Sequence, residues 1–93
     1  MEPLADPDIE ARLRELDPGW RREGEQIVRD IDCADFAAAV ALVNRIAAEA
    51  ERADHHPDIL LHGYRRLRVT LSTHAAGGLT DRDFALARTI DAL

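Results

Sequence analysis

The chain has 93 residues, which suits one small domain, and its hydrophobic content of 46% includes only 4% aromatic residues. Its core must therefore be aliphatic and rich in alanine. The 18 acidic and 12 basic residues give a formal net charge of −6, which argues against nucleic acid as a direct partner, since that binding needs a basic surface. The single cysteine, Cys33, excludes an internal disulfide and a multi-cysteine zinc site.

The first predicted element is a short helix that follows a flexible lead over residues 1–6. Asp6 followed by Pro7 is typical of a capped helix start. Three apolar residues recur at helical spacing and predict that the helix stops before residue 17: Ile9, Leu13 and Leu16.

Two strands are predicted to follow as a hairpin. They cover residues 20–24 and 26–33, with a tight turn at Gly24-Glu25. Ile27 and Ile31 lie on one face of the second strand, although Arg29 between them weakens the apolar pattern.

A long amphipathic helix over residues 35–55 is the clearest element of the sequence. Its apolar residues follow i, i+4, i+7 spacing, and its many alanines favour helix and permit close approach of another helix. We expect Pro57 to end it, because the residue before a proline is pushed out of helical geometry.

The remainder of the chain predicts a second hairpin and a closing helix. The strands cover residues 59–64 and 67–73, and the second alternates between apolar and polar residues. Residues 75–79 are expected to form a loop. The segment Thr80-Asp81-Arg82-Asp83 resembles a capping box that opens a helix through Ile90.

The order α-β-β-α-β-β-α predicts an α+β fold over residues 1–93, with a four-stranded antiparallel sheet and helices packed on one face. No apolar run approaches the roughly 20 residues that cross a bilayer. The acidic N-terminus lacks the pattern of a signal peptide. We therefore expect a cytoplasmic protein with no membrane association.

Three of the four histidines lie where predicted elements end, and rigid scaffolds present functional groups at such positions. His55 and His56 close the long helix, and His74 closes the last strand. Glu51 lies four residues before His55 and shares its helix face, with Asp54 as a second carboxylate nearby. This combination favours proton transfer near neutral pH. Elimination of water needs such groups, because hydroxide leaves poorly until it is protonated.

The same residues permit plainer interpretations. A histidine at a helix C-terminus is often only a cap, and His74 alone fits a hydrogen bond within a loop. A metal site lacks support, because the adjacent His55 and His56 diverge and no His-x₃-His or cysteine pair is present. Trp20 fits a buried anchor as well as a ligand contact, and His62 is interpreted as a surface residue.

The segment Glu51-Arg52-Ala53-Asp54-His55-His56-Pro57 resembles the signature of the pterin-4a-carbinolamine dehydratases. In that signature an acidic residue precedes His-His-Pro, an aromatic residue follows, and a later histidine completes the set. Here Tyr64 is the aromatic residue and His74 is the later histidine. Similarity extends to Gly19-Trp20, Asp35-Phe36 and residues 76–83, so the resemblance covers nearly the whole chain from Trp20 onwards.

The resemblance implies dehydration of 4a-hydroxytetrahydrobiopterin to the quinonoid dihydropterin, a step that recycles the cofactor of aromatic amino acid hydroxylases. By motif position, His55 and His74 are implied as acid/base groups, and His56 as a pterin-holding group with some part in catalysis. The implied substrate-binding residues are Glu51, Asp54, Pro57, Ser72, Thr73, Trp20 and Asp83. No metal and no organic cofactor are implied.

The resemblance also implies partners. Members of this family form homodimers through sheet edges and homotetramers through their long helices, and a link to an aromatic amino acid hydroxylase follows from the reaction. Two other functions stay open: a non-catalytic assembly or regulatory module, as in animal relatives that act as dimerisation cofactors of a homeodomain transcription factor, and pterin sensing without turnover. The three retained histidines favour the enzyme.

Overall fold

A four-stranded antiparallel sheet with three helices on one face forms the frame of the molecule in the computed structural model, which describes residues 1–93. The strand order in the sheet is β1-β2-β4-β3. The predicted α+β fold and its element order are confirmed. The elements are α1 (Asp6–Leu13), β1 (Trp20–Glu23), β2 (Gln26–Asp32), α2 (Phe36–Ala53), β3 (Asp58–His62), β4 (Arg66–Leu71) and α3 (Asp81–Asp91).

The two faces of the sheet differ in polarity. On β4, Leu67, Val69 and Leu71 are fully buried, while Arg66 and Arg68 are exposed on the other face. This is the two-residue alternation that the sequence predicted. The apolar face joins the helices in one core cluster of 13 buried residues, and none of the helices has both the length and the hydrophobicity needed to cross a bilayer.

The N-terminal helix differs in detail from the prediction. Its N-cap is Ala5, with no side-chain hydrogen bond, so Asp6 is the first helical residue and not the cap. The helix also ends earlier, at Leu13. Within the lead that was expected to be flexible, the Leu4 N–H donates to the Leu79 carbonyl at 2.7 Å, which ties this segment to the core.

Helix α2 ends earlier than predicted, and for a different reason. Its last residue is Ala53, and Asp54 follows in the left-handed conformation with φ 49° and ψ 44°. The helix therefore ends at this left-handed turn, three residues before Pro57, and Pro57 is not what ends it. As a result, His55 and His56 lie outside the helix, in the segment that leads into β3.

The chain after β4 is a tight turn and not a continuation of the strand. β4 stops at Leu71, and Thr73 forms an isolated antiparallel bridge with Gly78. Between them, a 3₁₀ turn over His74–Ala76 closes on Gly77, whose φ of 73° suits a residue without a side chain. His74 therefore begins a turn, whereas the sequence predicted that it ends a strand.

Candidate active site

The antiparallel register brings several chain ends to one end of the sheet. Leu71 pairs with Ile27 at the start of β2, and Thr70 pairs with Asp58 at the start of β3. The residues just beyond these pairs therefore collect at the same end. We call it the histidine end, because it carries His55, His56 and His74.

Asp83 is the buried centre of the polar contacts at the histidine end. Its Oδ1 lies 2.6 Å from His55 Nε2. Its Oδ2 accepts a hydrogen bond from Thr73 Oγ1 at 2.7 Å and another from the Thr80 N–H at 3.0 Å. Asp83 is 0% exposed and His55 is 7% exposed. A carboxylate this deep in the protein is tolerated only when it is paired and hydrogen-bonded, and both of its oxygens have partners.

This pairing fixes the state of the His55 ring. An ionised carboxylate only accepts hydrogen bonds, so Nε2 must carry a proton when Asp83 is ionised. Nδ1 is then the nitrogen left to gain or lose a proton. A buried aspartate performs the same task in a catalytic triad, where it holds an imidazole in one tautomer and orientation and stabilises the imidazolium that forms.

The predicted capping box explains why Asp83 stands here. Thr80 caps α3, and the Asp83 side chain accepts from the Thr80 backbone N–H, as the sequence predicted. The box uses only Oδ2, so Oδ1 remains free for His55. The single hydroxyl proton of Thr73 is donated to Asp83. In the 2.9 Å hydrogen bond between the two hydroxyls, Thr80 must therefore be the donor and Thr73 the acceptor.

His56 has the opposite environment. Its side chain is exposed, and its Nε2 lies 3.3 Å from an oxygen of the exposed Glu51 carboxylate. The predicted pairing of Glu51 with His55 on one helix face is therefore wrong. The physical reason is the left-handed turn at Asp54, which takes both histidines off the helical spiral before either completes an i, i+4 pair.

His74 is exposed at the rim of a polar cavity of about 340 Å³. The other residues that line it are Glu23, Glu25, Gln26, Ser72, Gly77 and Gly78. His55 lines a different cavity of about 300 Å³ between α2 and α3. No hydrogen bond joins the two rings. The pair of Asp58 and Thr70 is the last of the β3–β4 ladder at this end, so His56 and Ser72 both lie in segments just beyond it.

The remaining predicted site residues fall into two groups. Asp54 is exposed, and its carbonyl accepts a hydrogen bond from Arg82; Pro57 is half-buried between His56 and β3. Trp20 lies at the opposite end of β1 from the histidine end. It is buried, and its indole N–H donates to Asp91 Oδ1 at 2.8 Å, so it acts as an anchor for α3.

Metal binding finds no support in the donor set. No three side chains of the His, Cys, Asp or Glu type are grouped so that they would share one ion. The imidazoles at this end of the sheet, with carboxylates beside two of them, are groups that can transfer protons. A small α+β domain with an oriented buried histidine and two exposed histidines has the layout of an acid/base site.

A family model described as Pterin 4 alpha carbinolamine dehydratase matches residues 2–93. A relative of that name from Nocardia farcinica is 52% identical over 92 residues, which are 99% of this chain and 95% of that protein. Another, from Acidobacterium capsulatum, is 50% identical over 93 residues, covering 100% of this chain and 99% of its own length. The chain therefore belongs to the pterin-4a-carbinolamine dehydratase family, as its motifs predicted.

Solved structures agree with this assignment. A transcriptional coactivator/pterin dehydratase from Brucella melitensis superposes with a TM-score of 0.91 at 35% identity, over 98% of this chain and 97% of the other. A pterin dehydratase-like protein identified as a RuBisCO assembly factor in the α-carboxysome gives a TM-score of 0.66 at 25% identity, over 80% and 87% of the two chains.

Proposed function

We propose that this chain is a hydro-lyase that removes water from 4a-hydroxytetrahydrobiopterin by histidine acid/base catalysis. The observation that carries the proposal is the buried contact of 2.6 Å between His55 and Asp83 at the end of the sheet that also presents His56 and His74. Membership of the dehydratase family supports it. The reaction belongs to the recycling of tetrahydrobiopterin.

The proposed chemistry needs one proton donor and one proton acceptor. An imidazolium protonates the hydroxyl at C4a, and the C4a–O bond breaks as water leaves. The electron pair of N5 then forms the C4a=N5 double bond, and a neutral imidazole takes the N5 proton. The products are the quinonoid dihydropterin and one water molecule, so the protons balance within one turnover.

Each histidine suits a different part of this step. Asp83 holds His55 with Nδ1 available, which prepares that nitrogen to accept a proton. The side chain of His74 makes no hydrogen bond within the protein and is exposed to the polar cavity, so it is the proposed partner in proton transfer. His56, which is exposed beside Glu51, is proposed to hold the pterin ring and to take some part in catalysis.

The proposed substrate contacts follow the placement of the other residues. Glu51, Asp54, Pro57 and Ser72 lie around the exposed histidines and are proposed to line the substrate. Thr73 and Asp83 are buried and are proposed to act through His55. A homodimer or homotetramer, a link to an aromatic amino acid hydroxylase and a cytoplasmic location belong to the same proposal. Phe36 and Val40 support the homo-oligomer, because they are 55% and 37% exposed on α2.

Stopped-flow absorbance of 4a-hydroxytetrahydropterin decay tests the proposal. The variants are His55→Gln, His74→Ala and their combination, since glutamine at 55 still offers Asp83 an N–H donor and avoids an unpaired buried carboxylate. We expect each single change to slow the catalysed decay by roughly 100-fold or more. His62→Ala, on the open face of the sheet, is the matched control and should retain activity. Folded wild type that fails to accelerate the decay would remove the proposed function.

A further inference from the structure

The polar cavity beside His74 has one wall that the proposed chemistry does not use. That wall comes from the β1–β2 hairpin and consists of Glu23, Glu25 and Gln26, facing Ser72 and His74. No apolar side chain lines the cavity. A ligand held here must therefore be recognised through its polar edge, and the ionisable groups that face it are two carboxylates and one imidazole.

Glu25 is the carboxylate of this wall that remains available to a ligand. Glu23 already accepts a hydrogen bond from Arg21 at 2.7 Å. The nearest cation to Glu25 is Arg22, whose Nη2 lies 3.8 Å away, beyond hydrogen-bond reach. Glu25 therefore has hydrogen-bonding capacity to spare.

The backbone of Glu25 is joined to the segment of chain that carries His74. The Ser72 hydroxyl donates to the Glu25 carbonyl at 2.8 Å, which joins the hairpin to the end of β4. Glu25 Oε2 lies only 2.6 Å from the place where a Cβ on Gly78 would stand. The carboxylate thus lies close to the backbone of the loop that carries His74.

The pterin ring has an edge that matches such a carboxylate. Its 2-amino group and N3–H are adjacent donors that point the same way, and two parallel N–H groups bind the two oxygens of a carboxylate, as a guanidinium does. C4a lies across the ring from this edge. A ring held by Glu25 at one side of the cavity therefore directs its reacting centre away from the hairpin.

We propose that Glu25 is a specificity-determining residue that binds the 2-amino and N3–H edge of the pterin while His74 faces the reacting part of the ring. This inference rests on the proposed function and deepens it, since it assigns the group that selects a 2-amino ring over a 2-oxo ring. The expected effects of the histidine substitutions do not depend on the role of Glu25, and neither does the buried contact between His55 and Asp83.

The test compares two stable ligands, pterin and its 2-oxo counterpart lumazine, by fluorescence titration of wild type and of Glu25→Gln. Wild type should bind pterin about tenfold more tightly than lumazine, because lumazine keeps N3–H but replaces the 2-amino donor by a carbonyl oxygen, so one hydrogen bond to the charged carboxylate is lost. Glu25→Gln should weaken pterin binding by a similar factor and bring the ratio close to one. In turnover, KM should rise more than kcat falls.

Matched variants separate charge from position. Glu10→Gln removes the same charge from an exposed position on α1 and should leave both affinities unchanged. Glu25→Asp keeps the charge and should retain part of the preference for pterin. A pterin-to-lumazine ratio that is the same in wild type and Glu25→Gln, in a protein that accelerates dehydration, overturns the role of Glu25 and leaves the proposed function standing. Wild type that is inactive and binds neither ligand overturns both.

Discussion

Thr73→Val tests whether the hydroxyl network orients His55, because it removes one hydroxyl and keeps the shape of the side chain. The Thr73 hydroxyl donates a hydrogen bond to Asp83 Oδ2 at 2.7 Å and accepts one from the Thr80 hydroxyl at 2.9 Å. Thr73 and Thr80 are each 4% exposed, so water cannot replace the lost partner. Losing a hydrogen bond to a charged group costs about 1.5–3 kcal/mol, and an unpaired buried hydroxyl adds about 1 kcal/mol or more.

We therefore expect the free energy of unfolding to fall by about 2.5–4 kcal/mol, which lowers the melting temperature by roughly 10–30 °C in a domain of this size. Urea denaturation followed by circular dichroism, at one fixed protein concentration, measures the change. Thr73→Ser keeps the hydroxyl and is the matched control. In dehydration assays, the valine variant should lose kcat with little change in KM, since Thr73 acts through His55. A valine variant within about 0.5 kcal/mol of wild type, or a serine variant equally damaged, would refute the network.

Three further changes test other parts of the molecule. Asp83→Asn should lower kcat by roughly 100-fold in the stopped-flow assay, because an amide cannot accept from His55, Thr73 and Thr80 at once; unchanged kcat would contradict the role of Asp83. The hydrogen bond from Arg68 lowers the pKa of Asp30, so its small stabilisation is present above the ordinary carboxyl pKa and is lost as pH falls through the lowered one. Thermal melts of Asp30→Asn should therefore show a deficit at pH 7 that shrinks in acid and in salt; a deficit that persists in acid would contradict this. Val40→Asp should give a smaller particle in size exclusion with light scattering, because a charge on the exposed face of α2 opposes helix packing; an unchanged mass would exclude this face as the interface.

The elements that the sequence predicted well are those specified by local patterns. The alternation of Leu67, Val69 and Leu71 fixes which face of β4 is buried, since side chains on a strand point to opposite sides in turn. The capping box at Thr80 depends on residues three apart and needs no knowledge of the rest of the fold. The two hairpins and the helical stripe of α2 follow from the same kind of short-range regularity, whereas the pairing of β2 with β4 joins distant segments of the chain and was not predicted.

The contact between His55 and Asp83 lies beyond such patterns. The two residues are 28 positions apart, and they meet only because α3 packs beside the end of α2. One signal was present in the sequence: a capping box with aspartate uses a single carboxylate oxygen for the N-cap, and a buried second oxygen requires another partner. This requirement can be recognised only when Asp83 is known to be buried, and the sequence pattern does not show that burial.

The left-handed turn at Asp54 decides how the two adjacent histidines divide their tasks. Had α2 continued through His55, that ring would have shared a helix face with Glu51, and His56 would have been rotated by one helical step. The turn instead takes both histidines out of the helix and into the segment that leads into β3. His55 therefore points inward to Asp83 and is held in one tautomer, while His56 points outward to solvent and Glu51. In the proposed reaction, one His-His dipeptide would thereby supply both a rigid proton-transfer group and an adaptable group that holds the ligand.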